Sequence, residues 1–366
     1  MVGLTVVDEQ PSMLVAVAAP DPGACGRGVH PGWTTRPRRH ATMGIDDAFD
    51  AFQKTVNEDI DKTRLARERR DLFKAALGGE PDVLETFGSG SLSRSTQLKP
   101  IHDVDIIAIY DPDEHPEWGN DGPSAEDALK HIRGQVNRLL SQSSGTHGNV
   151  VRHTLLRNHA VKCFLDDPDD PEAFTVDVMA ALRQADGSLL IPEKLTTRWV
   201  PADPKYLIAQ VADHHRDWSH FRPLVRVLKQ WRHTAPVEGR IKSLVMEVLA
   251  LNCMPRSGNR SEGLKTFFTA AAVQVNEGVW DPAGLCGEIQ PDLDRAGLSA
   301  AFAEAADVAE RACAAAAEGD TDDALRLWQA ILGEDFPAPA APAKAATLIT
   351  APALITPRPI KDAPQG

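Results

Sequence analysis

The sequence predicts an α+β protein of two lobes: a mixed sheet with helices, then an all-helical lobe, joined by a long N-terminal spine helix. Three observations predict it. Apolar residues recur at helical spacing from Asp46 to Leu77. Short β-branched and aromatic runs gather between residues 83 and 179. From Pro204 to Leu332 the pattern is helical nearly throughout.

The spine comes first. Phe49, Phe52, Val56 and Ile60 are three or four residues apart, and Leu65, Leu72, Phe73 and Leu77 continue the stripe. Asp46 or Asp47 can cap its start and Gly78-Gly79 stops it. About thirty residues at 1.5 Å each give roughly 45 Å, with room for a bend, which suits a spine between two lobes. Strands are expected at Val83–Phe87, Val104–Tyr110, Asn149–His153, Ala160–Leu165 and Phe174–Met179, with a helix at Ala125–Leu140. The run Asp166-Asp167-Pro168-Asp169-Asp170-Pro171 is a turn between the last two strands. Helices are expected at Lys205–Asp217, Pro223–His233, Ile241–Cys253, Glu262–Val275, Ala296–Ala317 and Asp322–Leu332. The catalytic lobe with its spine therefore spans 43–203 and the helical lobe 204–336.

The ends differ. Residues 1–42 hold five prolines and no sustained periodicity, and residues 337–366 hold seven prolines among many alanines. Neither can bury enough apolar surface to offset its ordering entropy, so both are expected to be disordered. Met43 directly precedes the first periodic segment. This favours it as the true start of translation over an ordinary methionine in a flexible arm.

Composition narrows the function. Of 366 residues, 42% are hydrophobic and 25% charged, as in a soluble globular protein. No apolar run approaches the ~20 residues of a membrane span, so no membrane partner is expected. Net charge is −13, and residues 43–336 carry 32 of the 39 basic side chains but 48 of the 52 acidic ones. A protein that coats duplex nucleic acid would usually be basic, so none is expected as a partner. The five cysteines are scattered, with no CxxC pair. That suits a reducing cytoplasm and excludes a disulfide framework and a zinc ribbon.

The chemistry lies between the first two strands. The strand ending at Phe87 runs into Gly88-Ser89-Gly90-Ser91-Leu92-Ser93-Arg94-Ser95-Thr96, then Pro100, then Asp103-Val104-Asp105 entering an apolar strand. A Gly/Ser turn exposes backbone N–H groups and small hydroxyls, which suits a phosphate. Asp103 and Asp105 are two residues apart on a strand, so their carboxylates point to one side. Paired carboxylates bind Mg²⁺ (Mn²⁺ is the alternative), a hard cation that also takes substrate phosphates. Two such ions about 4 Å apart stabilise the attacking and leaving oxygens of an in-line phosphoryl displacement. The third carboxylate is Asp177, flanked by apolar residues in Phe174-Thr175-Val176-Asp177-Val178-Met179. Buried without a partner it would be costly, and its expected role is to hold the metal and help deprotonate a ribose hydroxyl. Each feature alone has an ordinary explanation: a plain loop, a solvated strand edge, an aspartate facing water. Their joint order and spacing outweigh those.

That order resembles the DNA polymerase β nucleotidyltransferase superfamily, whose signature is Gly-Ser, then Asp-x-Asp, then a distant third carboxylate. The fuller form, Gly90-Ser91-x-x-Arg94-x-Thr96 with Pro100 and Asp103-x-Asp105, is similar to the cGAS/DncV-like nucleotidyltransferases (CD-NTases) of bacterial anti-phage CBASS systems. The offsets select Gly90-Ser91 over Gly88-Ser89. The likeness covers about residues 44–337, through Phe221–Met254 to Trp328-Gln329-Ala330-Ile331-Leu332-Gly333 and Asp335-Phe336-Pro337. It implies a polymerase β-like catalytic lobe. It also implies a lysine and a serine on consecutive helices that touch the donor triphosphate, which fall on Lys229 and Ser243. Arg94 and Thr96 either brace the turn or touch phosphate. Trp231 is expected in the core. Two departures stand out. Met179-Ala180-Ala181 replaces the apolar-Pro-Ala that often follows the third acid, and no Cys/His cluster matches the zinc insertion of the animal cyclic GMP-AMP synthase. His214, His215 and His220 are expected as surface histidines.

The resemblance implies an enzyme that joins nucleoside triphosphates into a cyclic di- or trinucleotide, which a downstream effector then binds. The alternative is a template-independent nucleotidyltransferase acting on RNA, a small molecule or a protein. A nucleotide sensor without catalysis requires an incomplete carboxylate set. The tail ends in Asp362-Ala363-Pro364-Gln365-Gly366. Two readings of it stand side by side: a plain flexible tail, or a ubiquitin-like terminus whose Gly366 is joined to targets by a conjugating partner.

Overall fold

The computed structural model describes residues 43–340. The expectations for residues 1–42 and for the tail to Gly366 fall outside the described residues, apart from 337–340.

The spine is two helices. α1 (Ile45–Val56) ends at Asn57, whose backbone is extended, and α2 (Ile60–Gly78) starts afresh at Asp59, whose carboxylate accepts the N–H of Asp61 at 2.8 Å. The single helix of about thirty residues is thereby corrected. Asp59 is an N-cap, and a capped start inside an apolar stripe ends one helix and opens another. The two helices serve different cores. Ala48, Phe49, Phe52 and Val56 of α1 join the helical lobe, where Phe49 meets Trp328 and Phe336 edge to face. Ala66, Phe73, Ala76 and Leu77 of α2 lie under the sheet.

Among the described residues, seven strands form one mixed sheet: β1 (Val83–Ser89), β2 (Asp103–Tyr110), β3 (His153–Leu156), β4 (Val161–Phe164), β5 (Thr175–Arg183), β6 (Leu189–Glu193) and β7 (Arg198–Ala202). The order is β1-β2-β5-β4-β3, and β6 pairs with the far end of β5 and then with β7. Only β2 and β5 are parallel. Between β1 and β2 lies a single helical turn, α3 (Gly90–Arg94), where the sequence suggested a loop. The strand expected at Asn149–His153 instead runs His153–Leu156, and Val151 makes only an isolated bridge to Ser141. β6 and β7 were not anticipated: each is five residues long and contains a proline, which weakens the strand signal.

Alternation along β2 explains its two faces. Val104, Ile106, Ala108 and Tyr110 are buried beneath α2 and α4 (Ser124–Leu140), while Ile107 and Ile109 join Ala181, Leu189 and Ile191 on the other face. Asp103 and Asp105 share that second face by parity, so it is apolar at one end and acidic at the other.

The helical lobe follows as α5 (Pro204–Asp217), α6 (Phe221–Trp231), α7 (Ser243–Cys253), α8 (Arg260–Gln274), α9 (Arg295–Ala317) and α10 (Thr321–Leu332). Trp231 is buried and stacks on Phe302 at 5.2 Å, as expected of a core residue. His214 departs from expectation. It is buried, stacks on Phe221 at 3.9 Å and bonds the Pro255 carbonyl at 3.0 Å, so α5 presents it to the core and not to solvent.

Candidate active site

Sheet register assembles the acidic end. Ser89 of β1 pairs with Asp105 of β2, Asp105 pairs with Asp177 of β5, and Asp177 pairs with Lys162 of β4. Residues in register point to the same face of a sheet, so these four side chains form one row. Asp103 stands two residues before Asp105 on the same side. The N–H of Thr175 bonds the carbonyl of His102 at 2.8 Å, which ties the start of β5 to the entry of β2 and holds the row in place.

The Gly-Ser segment closes over this row. Gly90 has φ +68°, and a Cβ built there would lie 1.7 Å from Asp105 Oδ2. No side chain fits, so the chain can turn down onto Asp105 only at a glycine. Ser91 follows on α3 and lines a cleft of about 790 Å³ together with Asp103. That volume suits a nucleotide-sized ligand, within the roughly 300–1,000 Å³ of small-molecule clefts. Arg157, Lys162, Arg232, Arg240, Lys242, Lys229 and Ser243 also line it. A chain of net charge −13 thus concentrates cations around one cleft.

Arg94, Thr96 and Lys229 meet at one buried carboxylate. Arg94 Nε donates to Glu247 Oε2 at 2.7 Å, and Lys229 Nζ donates to Glu247 Oε1 at 2.9 Å and to the Thr96 carbonyl at 2.8 Å. The Thr96 hydroxyl also donates to Glu247. Arg226 Nη1 donates to the Ser95 carbonyl at 2.6 Å. Burial acts to raise the Glu247 pKa, but the Arg94 and Lys229 charges and the Thr96 and Lys229 hydrogen bonds hold it below the usual carboxylate value. Arg94 and Thr96 therefore brace the segment after Gly90-Ser91 against the helical lobe. Lys229 reaches the cleft wall with its ammonium engaged by Glu247. Ser243, the first residue of α7, opens onto the same cleft.

The carboxylates fit a divalent cation. Asp177 Oδ1 is buried with no hydrogen-bond partner among the described residues. The Asp105 pKa is pushed up to about 7 by burial and by the charges of Asp103 and Asp177, against the pull of Arg94 and Lys162. An orphaned oxygen and a carboxyl with raised affinity for a proton fit a cradle for a cation.

Comparison with known proteins agrees. Residues 43–214 match the Second Messenger Oligonucleotide or Dinucleotide Synthetase domain. A probable cyclic nucleotide synthase of Bacillus cereus (strain VD146) is 22% identical over 339 residues, covering 80% of this chain and 97% of the relative. The cyclic AMP-AMP-AMP synthase of Acinetobacter sp. (strain ATCC 27244 / 9458) is 26% identical over 289 residues, covering 73% of this chain and 77% of the relative. These matches support the resemblance to the cGAS/DncV-like nucleotidyltransferases read from the sequence. The structure of CdnC from E. coli MS115-1 with ATP shares the fold, with a TM-score of 0.59, 17% identity and coverage of 80% of this chain and 98% of that one.

Sequence reasoning missed several residues of this cleft. Lys162 was visible as a lone cation between buried Val161 and Cys163, and alternation alone puts it on their opposite face. Only the sheet order shows that this face holds Asp177. Arg157 and Arg240 lie outside the regular elements, where periodicity gives no direction, and Arg232, inside the helix expected to reach His233, sits just past the end of α6 at Trp231. Glu247 carried one signal, a carboxylate inside the apolar run Leu244–Leu251 of α7.

Proposed function

We propose that this chain condenses nucleoside triphosphates into a cyclic oligonucleotide of two or three nucleotides in a Mg²⁺-dependent reaction, as part of anti-phage signalling. The observation that carries the proposal is the row of Asp105, Asp177 and Lys162, with Asp103 beside it, of which Asp103 and Lys162 line a cationic cleft. A ribose hydroxyl oxygen of one nucleotide attacks the α-phosphorus of another. The new P–O bond forms as the bond to pyrophosphate breaks, and the hydroxyl proton is lost. After one such attack for a dinucleotide, or two for a trinucleotide, the free ribose hydroxyl at the far end of the linear product attacks the α-phosphorus of its own remaining triphosphate, and the ring closes as a further pyrophosphate leaves.

Asp103, Asp105 and Asp177 would hold the metal ions. Bound Mg²⁺ would polarise the α-phosphate, lower the hydroxyl's pKa and offset charge on the leaving pyrophosphate. Ser91 and the adjacent backbone N–H groups hold the donor phosphates, and Gly90 lets them approach Asp105. Asp177, whose Oδ1 has no partner among the described residues, is the carboxylate available to accept the hydroxyl proton. Ser243 and the cations at Lys162, Lys229 and Arg240 steady the triphosphate charge. The fit of relatives named as cyclic nucleotide synthases supports the cyclic product.

Purified chain incubated with the four NTPs and Mg²⁺ or Mn²⁺, followed by mass spectrometry, is expected to yield a phosphatase-resistant cyclic product. The Asp103→Asn, Asp105→Asn double variant is expected to keep its fold by circular dichroism and lose product. Turnover by the folded double variant would remove the carboxylate assignment. A strict need for an RNA primer, with linear extension only, would remove the cyclic product.

A further inference from the structure

A second cluster of ligating side chains lies at the opposite end of β2. Asp82 precedes β1, His115 sits in the connection from β2 to α4, and His131 is on α4. Tyr110, the last residue of β2, touches this cluster, whereas Asp103 opens the strand at the candidate active site. Seven steps of about 3.3 Å place the two ends roughly 23 Å apart.

The donor atoms converge. His115 Nε2 is 3.0 Å and His131 Nε2 is 2.7 Å from the same oxygen, Asp82 Oδ2. All three ligand atoms lie within 4.8 Å of one another. Metal–nitrogen bonds of about 2.05 Å give ligand-to-ligand edges of roughly 2.9 Å at right angles and 3.3 Å in a tetrahedron, so a small opening of this triangle admits an ion.

A supporting shell fixes the donors. The other carboxylate oxygen of Asp82, Oδ1, accepts from Gln135 Nε2 at 2.9 Å, and Gln135 Oε1 in turn accepts from the buried Tyr110 hydroxyl at 2.5 Å. The His115 ring lies flat on Trp118, with centroids 3.8 Å apart and planes 13° apart, and it meets His131 edge to face at 4.8 Å. Ring orientation and carboxylate orientation are thus set by packing and by hydrogen bonds, as in built metal sites. A cleft of about 510 Å³ opens over the cluster and is also lined by Glu114, so water or a fourth ligand can complete the coordination.

We propose that Asp82, His115 and His131 form a second metal site, separate from the catalytic carboxylates, for a first-row divalent transition ion of the zinc class. Two imidazoles and one carboxylate suit Zn²⁺ or Co²⁺, whereas Mg²⁺ prefers an all-oxygen set. The ion would staple three segments that are distant in sequence at the end of the sheet away from the nucleotide cleft.

The test uses the full chain, stripped with a chelator and titrated with Zn²⁺ against a chromophoric chelator in millimolar Mg²⁺. Co²⁺ absorption reports the coordination. One equivalent is expected in the wild type and in the Asp103→Asn, Asp105→Asn variant. The His115→Gln, His131→Gln variant is expected to lose about 100-fold or more in affinity. Because His115 packs on Trp118 and its loss can disturb the lobe, His131→Gln alone serves as the second variant, with about a tenfold loss expected. Absence of a tight equivalent in the wild type, or equal binding by the histidine variants, would overturn the site. Loss of that equivalent in the aspartate variant would assign the ion to the catalytic carboxylates instead.

Discussion

Gly90 shows how one residue type can decide a site. The Gly-Ser motif singled it out, but the reason for the glycine is Asp105, whose carboxylate occupies the space a Cβ would need. Gly90→Ala must either leave the positive-φ conformation or push Asp105 aside. The strain alone costs about 1–3 kcal/mol, and the displaced carboxylate breaks the row with Asp177. We expect Gly90→Ala to lower kcat/KM at least about 100-fold, since misplacement by ~1 Å can cost that much, and to lower the Tm by a few degrees. Gly134 is the control. It lies on the exposed face of α4 with nothing within 4 Å of an added Cβ. Gly134→Ala is expected to stabilise the fold by about 0.5–1 kcal/mol in denaturant titration, with NTP turnover unchanged.

Elements were legible where one chain segment decides them. All six helices after Pro204 run within about two residues of their expected limits, and so does α4, because each carries its own buried apolar residues, and α5, α8, α9 and α10 are also capped by Asp203, Asn259, Asp294 and Asp320. Asp103, Asp105 and Asp177 could be placed on strands by local pattern, but their meeting could not. It depends on β5 lying parallel to β2 in one register, which is a property of the whole sheet. The break in the spine was missed for the opposite reason. The stripe through Val56 and Ile60 continues across it, and the cap that ends it is a single aspartate among several. Glu58 adds a tertiary reason for the break, accepting the N–H of Ile101 at 2.8 Å from 43 residues away. Asp59→Ala removes the cap of α2 and is expected to cost about 1 kcal/mol of stability. Product yield should stay unchanged, since Asp59 is exposed and does not line the nucleotide cleft. A loss of more than a few degrees in Tm would mean that the break is held by the cap to a greater extent than a surface cap allows.

At the scale of the molecule, Glu247 joins the two lobes. It is the one carboxylate that engages Arg94 and Thr96 from the catalytic lobe and Lys229 from α6, and it is fully buried. Breaking such a pair leaves cations buried without a partner, so Glu247→Ala is expected to destabilise the protein by about 3–5 kcal/mol. Replacing the whole group with apolar residues, as in E247L with R94M and K229M, is expected to recover much of that stability while leaving Gly90-Ser91 poorly held and turnover low. The acid limb of the stability curve tests the same carboxylate. Its folded pKa lies below the ordinary glutamate value of 4.5. Glu247 therefore contributes stability that is fully present above about pH 4.5 and is lost as the pH falls through its lower folded value. Wild type is expected to lose stability steeply below pH 4.5, and Glu247→Gln is expected to start lower and fall less steeply over the same range. Parallel acid limbs for the two proteins, followed by urea titration at several pH values, would show that the charge on Glu247 does not hold the lobes together.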